Sequence, residues 1–412
     1  MPDARRSVAA VALLAAVWAC GSSDTSGLPT VPTLDEQGAA GFASVSAGLD
    51  HTCALSTAGV AFCWGSDAHG QLGHPATALC DTTASGACSL AAEPVATTLR
   101  FRSISAGGEH TCAVSTDFTA YCWGSNAAGA LGMAASRAAI PEPVSGGLRF
   151  ASIAAGFSHT CAVATDGTAY CWGSNERGEL GTGDTVARAM PAPVATALRF
   201  VEISTGQGRT CARSVANVVY CWGAIWEYRQ GGLEYTRAQP LPQPVPAAPS
   251  LTGLSVGPLT TCGVSGTTAY CWEANPFGEM GNGTTDGATT PTAVAGGLQF
   301  TQLSAGIIQT CGVTTDGAAY CWGNDSFGQL GVSSAALGAR CGLQRLPCSL
   351  VPVRVPGWRP FKSISTGLGN HVCGVTRDTN IYCWGLAQSG QLGYGQRIGA
   401  TSQALKVAIA LP

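Results

Sequence analysis

The chain has 412 residues; 11% are charged and 46% hydrophobic, with 55 Gly, 22 Pro, 19 Cys and a formal net charge of −3. So few charges leave little polar surface for amphipathic helices, and the Gly and Pro content suits short strands joined by tight turns. Lys and Arg are scattered, which argues against a nucleic-acid backbone as partner.

The first feature in chain order is a targeting segment. Arg5 and Arg6 precede an apolar run from Val8 to Ala19, and Cys20 follows at once. The run is too short to cross a bilayer as a helix and reads as a signal peptide over residues 1–19. Val17-Trp18-Ala19-Cys20 resembles a bacterial lipobox, which makes Cys20 the expected lipidation site. Trp18 departs from the small residue usual there, and ordinary secretory cleavage with a free Cys20 is the alternative. Residues 20–41 then form a lipidated Cys and a flexible tether. The expected location is the bacterial cell envelope, with a lipid anchor in the outer membrane or at the cell surface as the only membrane contact.

From residue 42 onward one phrase returns seven times: a Cys, a short turn, then an aromatic, a second Cys and Trp. The pairs are Cys53 with Cys63, Cys112 with Cys122, Cys161 with Cys171, Cys211 with Cys221, Cys262 with Cys271, Cys311 with Cys321 and Cys373 with Cys383. Successive first cysteines are 59, 49, 50, 51, 49 and 62 residues apart, so one unit of about fifty residues is copied around a ring or along a rod. The two long intervals hold inserts, residues 74–92 and 332–351, with their own pairs, Cys80 with Cys88 and Cys341 with Cys348. Both inserts are expected to leave from one face and, flanking the seventh unit, to form one rim. With Cys20 set aside the cysteines are even in number, as in a disulfide protein of an oxidising compartment. One pair per unit supplies two ligands where a structural zinc needs four, so no metal is expected.

The third unit shows the local structure. Phe150–Ala155 alternates as a first strand, Thr160–Val163 is a second, Thr168–Trp172 a third, and Pro191–Val194 an edge strand that tolerates Pro. Four strands repeated seven times without helical periodicity predict an all-β fold. It is a seven-bladed β-propeller of four-stranded antiparallel blades over residues 42–412. Counting outward from Thr165-Asp166-Gly167 sets Cys161 opposite Cys171. The shorter Gly266-Thr267 turn again sets Cys262 opposite Cys271. Each blade therefore carries one expected cross-strand hairpin disulfide.

His51-Thr52-Cys53-Ala54-Leu55, Cys63-Trp64-Gly65-Ser66, Gly70-Gln71-Leu72-Gly73 and Gly390-Gln391-Leu392-Gly393 carry a family likeness. The whole of residues 42–412 resembles the repeat of the regulator of chromosome condensation family. That resemblance implies a seven-bladed propeller used as an interaction platform. In that family the eukaryotic namesake exchanges nucleotide on a small GTPase, and an exported bacterial relative inhibits β-lactamases. The exchange activity does not carry over to a chain outside the cytoplasm.

Several residues invite a functional reading. His51, His110, His159 and His371 share one repeat position, where other units place Arg209, Thr260 and Gln309. A ring of metal ligands is one reading; a polar tie at the start of a strand, which Arg, Thr and Gln also make, is the one expected. The Trp after each second Cys is expected to pack between blades. No catalytic set or cofactor fingerprint is present, so the chain reads as a non-enzyme without cofactors. The fourth unit loses the Gly-Gln-Leu-Gly turn after Trp222-Gly223, and the fifth has Glu273 for Gly and Met280 for Leu. Trp226, Tyr228, Arg229 and Tyr235 stand in the broken stretch and are the candidate binding residues on an exposed loop, the other reading being a locally rebuilt blade that buries its own aromatics. The expected function is a scaffold binding another macromolecule, a protein first, through its loop face. A glycan or peptidoglycan ligand, or inhibition of a secreted enzyme, is the alternative.

Overall fold

The computed structural model describes residues 41–80, 86–229, 232–357 and 359–410. The expected signal segment, Cys20 and the expected tether up to residue 40 lie outside the described residues, as do the side chains of 226–236.

The described chain forms seven antiparallel sheets, each from one contiguous stretch; five have four strands in chain order, and two, in blades 1 and 6, have an extra strand outside the fourth. In blade 3 the strands are Phe150–Ala155, His159–Ala164, Ala169–Gly173 and Arg188–Pro193; the first three lie within one residue of the ranges read in the sequence, and the fourth starts three residues earlier. The register is Ala162↔Tyr170 and Cys161↔Cys171, set by the Asp166-Gly167 turn, in which the Gly167 N–H donates to the Ala164 carbonyl. The two-residue turn of blade 5 also faces Cys262 with Cys271. In both hairpins the bridged Cα atoms are 4.1 Å apart, the narrow antiparallel spacing that admits a disulfide. The other five blades carry the same bridge across the same two strands. Cys53 is joined to Cys63, Cys112 to Cys122, Cys211 to Cys221, Cys311 to Cys321 and Cys373 to Cys383, as the repeat spacing predicts. In the inserts Cys80 is bridged to Cys88 and Cys341 to Cys348.

Pro143, Pro193 and Pro244 lie on the fourth strands, where one edge needs no donor. The first strands stand side by side around the axis. A serine hydroxyl of one accepts a backbone N–H from the next: Ser46 from Ala106, Ser105 from Ala155, Ser204 from Val256, Ser255 from Ala305, Ser304 from Thr366 and Ser365 from Ala47. The last of these closes the ring between blades 7 and 1. The core is distributed between blades, in clusters that each hold the disulfide of one blade and the Trp of a neighbour.

Two expectations are corrected. The inserts do not form one rim. Each adds a fifth, outer strand to its own blade, Ala78–Leu79 in blade 1 and Ala339–Cys341 in blade 6. Both lean the same rotational way: the first reaches the Gly390 turn of blade 7, the second the Gly278 turn of blade 5. The broken segment of blade 4 is not a loop. The third and fourth strands run on as Val219–Arg229 and Gly232–Pro244, paired as far as Arg229↔Gly232. Ile225, Trp226 and Tyr228 extend a β-prone stretch with no Gly to turn it until Gly231 and Gly232, which explains the extension.

Candidate functional site

Each regular blade junction is built on one backbone carbonyl. The turn after the third strand presents the carbonyl of its second residue to the next blade. At the first junction Gln71 O accepts from Thr111 Oγ1 and Trp123 Nε1, both at 2.9 Å. Ala130 receives Thr160 and Trp172, Glu179 receives Thr210 and Trp222, Glu279 receives Thr310 and Trp322, and Gln391 receives Thr52 and Trp64. Gln329 receives Trp384 alone, because Val372 stands where Thr would be.

The histidines complete these junctions. His51, His110, His159 and His371 place Nε2 at 2.9–3.0 Å from the Thr hydroxyl of the next blade. That hydroxyl spends its proton on the turn carbonyl, so the imidazole donates through Nε2–H and is neutral. Burial holds all four well below the ordinary range, at about 3. Each lies at a different junction, and no group of three His, Cys, Asp or Glu that could hold a metal occurs among the described residues. Gln309 occurs where the neighbour is Val372, and its amide donates to the Gly369 carbonyl instead. Thr260 bonds within its own blade, to Ala274.

The junction between blades 4 and 5 keeps the Ser204 to Val256 contact but departs from the others around its Trp. The turn is missing, since the strands of blade 4 continue as a hairpin. Trp272 is 1% exposed, yet its Nε1–H has no acceptor. Thr261 donates to Glu273 Oε2 at 2.8 Å in place of a carbonyl. Arg209 stands where His would be; it donates through Nη1 to the Ala224 carbonyl, and its Nη2 lies 2.5 Å from Glu273 Oε1. Its Nε–H is buried without an acceptor.

Glu273 keeps a positive φ of 88°, as do the glycines it replaces. At Gly65 a Cβ would meet Asp50 O at 2.6 Å and His51 Cα at 2.8 Å in its own blade, and the Cα of Gln391 in the neighbouring turn at 3.1 Å; at residue 273 the last of these contacts is absent. A cleft of about 690 Å³ occupies this junction, lined among others by Arg209, Cys221, Val245, Trp272 and Glu273. That size is ordinary for a ligand site, roughly 300–1,000 Å³.

Of the sequence candidates, the structure pairs the backbones of Trp226 and Tyr235, and places Tyr228 opposite Leu233 and Arg229 opposite Gly232, on the hairpin beside this cleft. Sequence reading missed Arg209, Trp272 and Glu273 as a set. The available signal was that three departures from the repeat fall at one junction.

Fold and junctions together define a ring of seven repeats with one altered interface. The RCC1-like domain profile matches residues 6–306, and the chain belongs to that family; a regulator of chromosome condensation (RCC1) repeat also matches 292–329. The Arabidopsis thaliana ultraviolet-B receptor UVR8 is 31% identical over 132 residues, 31% of this chain and 28% of that protein. The human E3 ubiquitin-protein ligase HERC2 is 29% identical over 139 residues, 33% of this chain and 3% of that protein. The matched part thus spans under a third of either relative. Among solved structures, yeast RCC1 (Prp20) bound to Kap60 superposes with a TM-score of 0.72 at 19% identity, over 95% of this chain and 90% of that one.

Proposed function

We propose that this chain is a non-enzymatic scaffold that binds a protein through blades 4 and 5, held at the bacterial envelope by a lipid on Cys20. The observation that carries the binding reading is the altered junction. Six junctions bury a turn carbonyl against Trp, and the remaining one combines an extended hairpin with a cleft and unused donors. Yeast Prp20, whose fold is similar, is known bound to Kap60 and for its binding to Gsp1p and histones, which supports protein binding as a use of this fold. Leu241, 42% exposed on the fourth strand of blade 4, adds apolar surface beside the hairpin.

The double variant Trp226→Ala with Tyr228→Ala is expected to lose crosslinking to a protein in native envelopes while melting as the wild type does. Undiminished crosslinking counts against the reading, and co-sedimentation with cell-wall preparations in its place favours a glycan. For the anchor, the wild type is expected to partition into detergent and Cys20→Ala into the aqueous phase; an aqueous wild type removes the anchor.

A further inference from the structure

The six regular junctions show what the seventh lacks. In each, the Leu or Met of the turn is fully buried beside the Trp of the next blade: Leu72 and Leu131 in one cluster with Trp123 and Trp172, Leu180 with Trp222, Met280 with Trp322, Leu330 with Trp384 and Leu392 with Trp64. Among the described residues, the cluster around Trp272 holds Cys221 and Leu251, packed by Val245, and no residue from a turn. The equivalents of Cys221, Val245 and Trp272 at the first junction are Cys63, Val95 and Trp123, which surround Leu72. All three also line the cleft. The walls of a leucine socket are therefore present without the leucine, and the indole N–H that would meet the turn carbonyl is buried and unpaired.

From this complementarity, and resting on the protein-binding reading above, we infer that the cleft between blades 4 and 5 accepts a Leu-Gly or Met-Gly turn from a partner protein. The partner's leucine enters the socket between Cys221, Val245 and Trp272. The carbonyl of the residue before it accepts from Trp272 Nε1, as Gln71 O accepts from Trp123. The glycine after it is required by space. At Gly73 a Cβ would lie 2.8 Å from both Trp123 Nε1 and Val95 Cγ1, and φ is 72°. Arg209 also lines the cleft, and its buried Nε–H is a second donor without an acceptor, so the ligand must bring acceptors. A peptide turn brings both acceptors and an apolar side chain. The backbone of the hairpin forms no such turn: apart from two register shifts, its strands are paired from Tyr220↔Pro244 to Arg229↔Gly232.

The probe is a cyclised peptide with the sequence of residues 67–75 of this chain, which contains Gly70-Gln71-Leu72-Gly73, titrated into the full chain labelled with ¹⁵N at tryptophan. The Trp272 indole resonance, assigned with Trp272→Phe, is expected to move downfield. The peptide with Asp for Leu72 or Ala for Gly73 is expected to bind at least about tenfold more weakly, and so is the intact peptide to Trp272→Phe, measured by calorimetry. A second variant guards against misfolding. Replacing 224–238 with 125–137 supplies the turn in cis and should abolish the response while raising the melting temperature. No movement of the Trp272 indole at millimolar peptide, or an equal response to the Asp peptide, overturns the inference. If a protein still crosslinks to blades 4 and 5 and the peptide does not compete, the socket inference falls alone. If no protein crosslinks there, the broader reading falls, and the peptide titration still judges the socket.

Discussion

At the residue scale the junctions work because one carbonyl and one hydroxyl are shared among three donors, and single departures have readable consequences. The serine ring is broken once, at Ala154, opposite the first strand of blade 4. There Thr205 Oγ1 is buried without a partner, whereas Thr366, in the same position of blade 7, bonds to Ser304. Ala154→Ser should therefore stabilise the fold by about 1 kcal/mol in denaturant titration, the net worth of a hydrogen bond to an otherwise orphaned group. Titration gives a second outcome. The four buried histidines have folded values near 3 against 6.5 when free, so the unfolded chain binds more protons between those limits. Stability is full above about 6.5 and is lost as pH falls toward 3. Glu279 behaves oppositely: burial raises it to about 8, so stability falls as pH rises from about 4.5 to 8. Its Oε2 accepts from the Phe277 N–H, a role that Gln71 and Gln329 fill without a charge. Glu279→Gln should flatten the alkaline limb of melting temperature against pH and leave the acid limb unchanged.

At the element scale the hairpin and its bridge specify each other. Turns of different length in blades 3 and 5 leave the same residues facing, so register was legible in the sequence before any contact was known. Each bridge closes a short loop, worth somewhat under ~3 kcal/mol by chain entropy. Cys161→Ala with Cys171→Ala should lose about 2–3 kcal/mol in urea unfolding, with the hairpin amides of residues 159–173 losing the most exchange protection. The sequence did not disclose the fate of the inserts or of the fourth hairpin. A stapled insert reads as a loop because its cysteines lie seven or eight residues apart, and nothing local reveals that Ala78 and Ala339 pair with a neighbouring strand. The loss of the turn in blade 4, the Arg at 209 and the Glu at 273 were each visible. Their common cause was not, because it requires knowing that one turn serves the Trp of the following repeat.

At the scale of the molecule the disulfides lie within blades and the junctions between blades are not covalent, so closure rests on packing and hydrogen bonds at each junction. The seam uses Ser365 to Ala47, His371 to Thr52 and Trp64 to Gln391, the set found at ordinary junctions. An open solenoid would be weakest at its ends, whereas a closed ring gives every blade two neighbours. Trp64→Phe at the seam should therefore cost as much as Trp172→Phe in the interior of the ring. Each loses a buried indole hydrogen bond and leaves a small cavity, about 2 kcal/mol or more. Trp272→Phe creates the same cavity but forfeits no internal hydrogen bond, so it should cost about 1 kcal/mol less. Equilibrium unfolding of the three variants under non-reducing conditions separates the cases. Equal losses at 64 and 172 with a smaller one at 272 fit a closed ring with one unfilled interface. A much smaller loss at 64 would mean that the seam is open in solution, and equal losses at all three would mean that Trp272 has an acceptor after all.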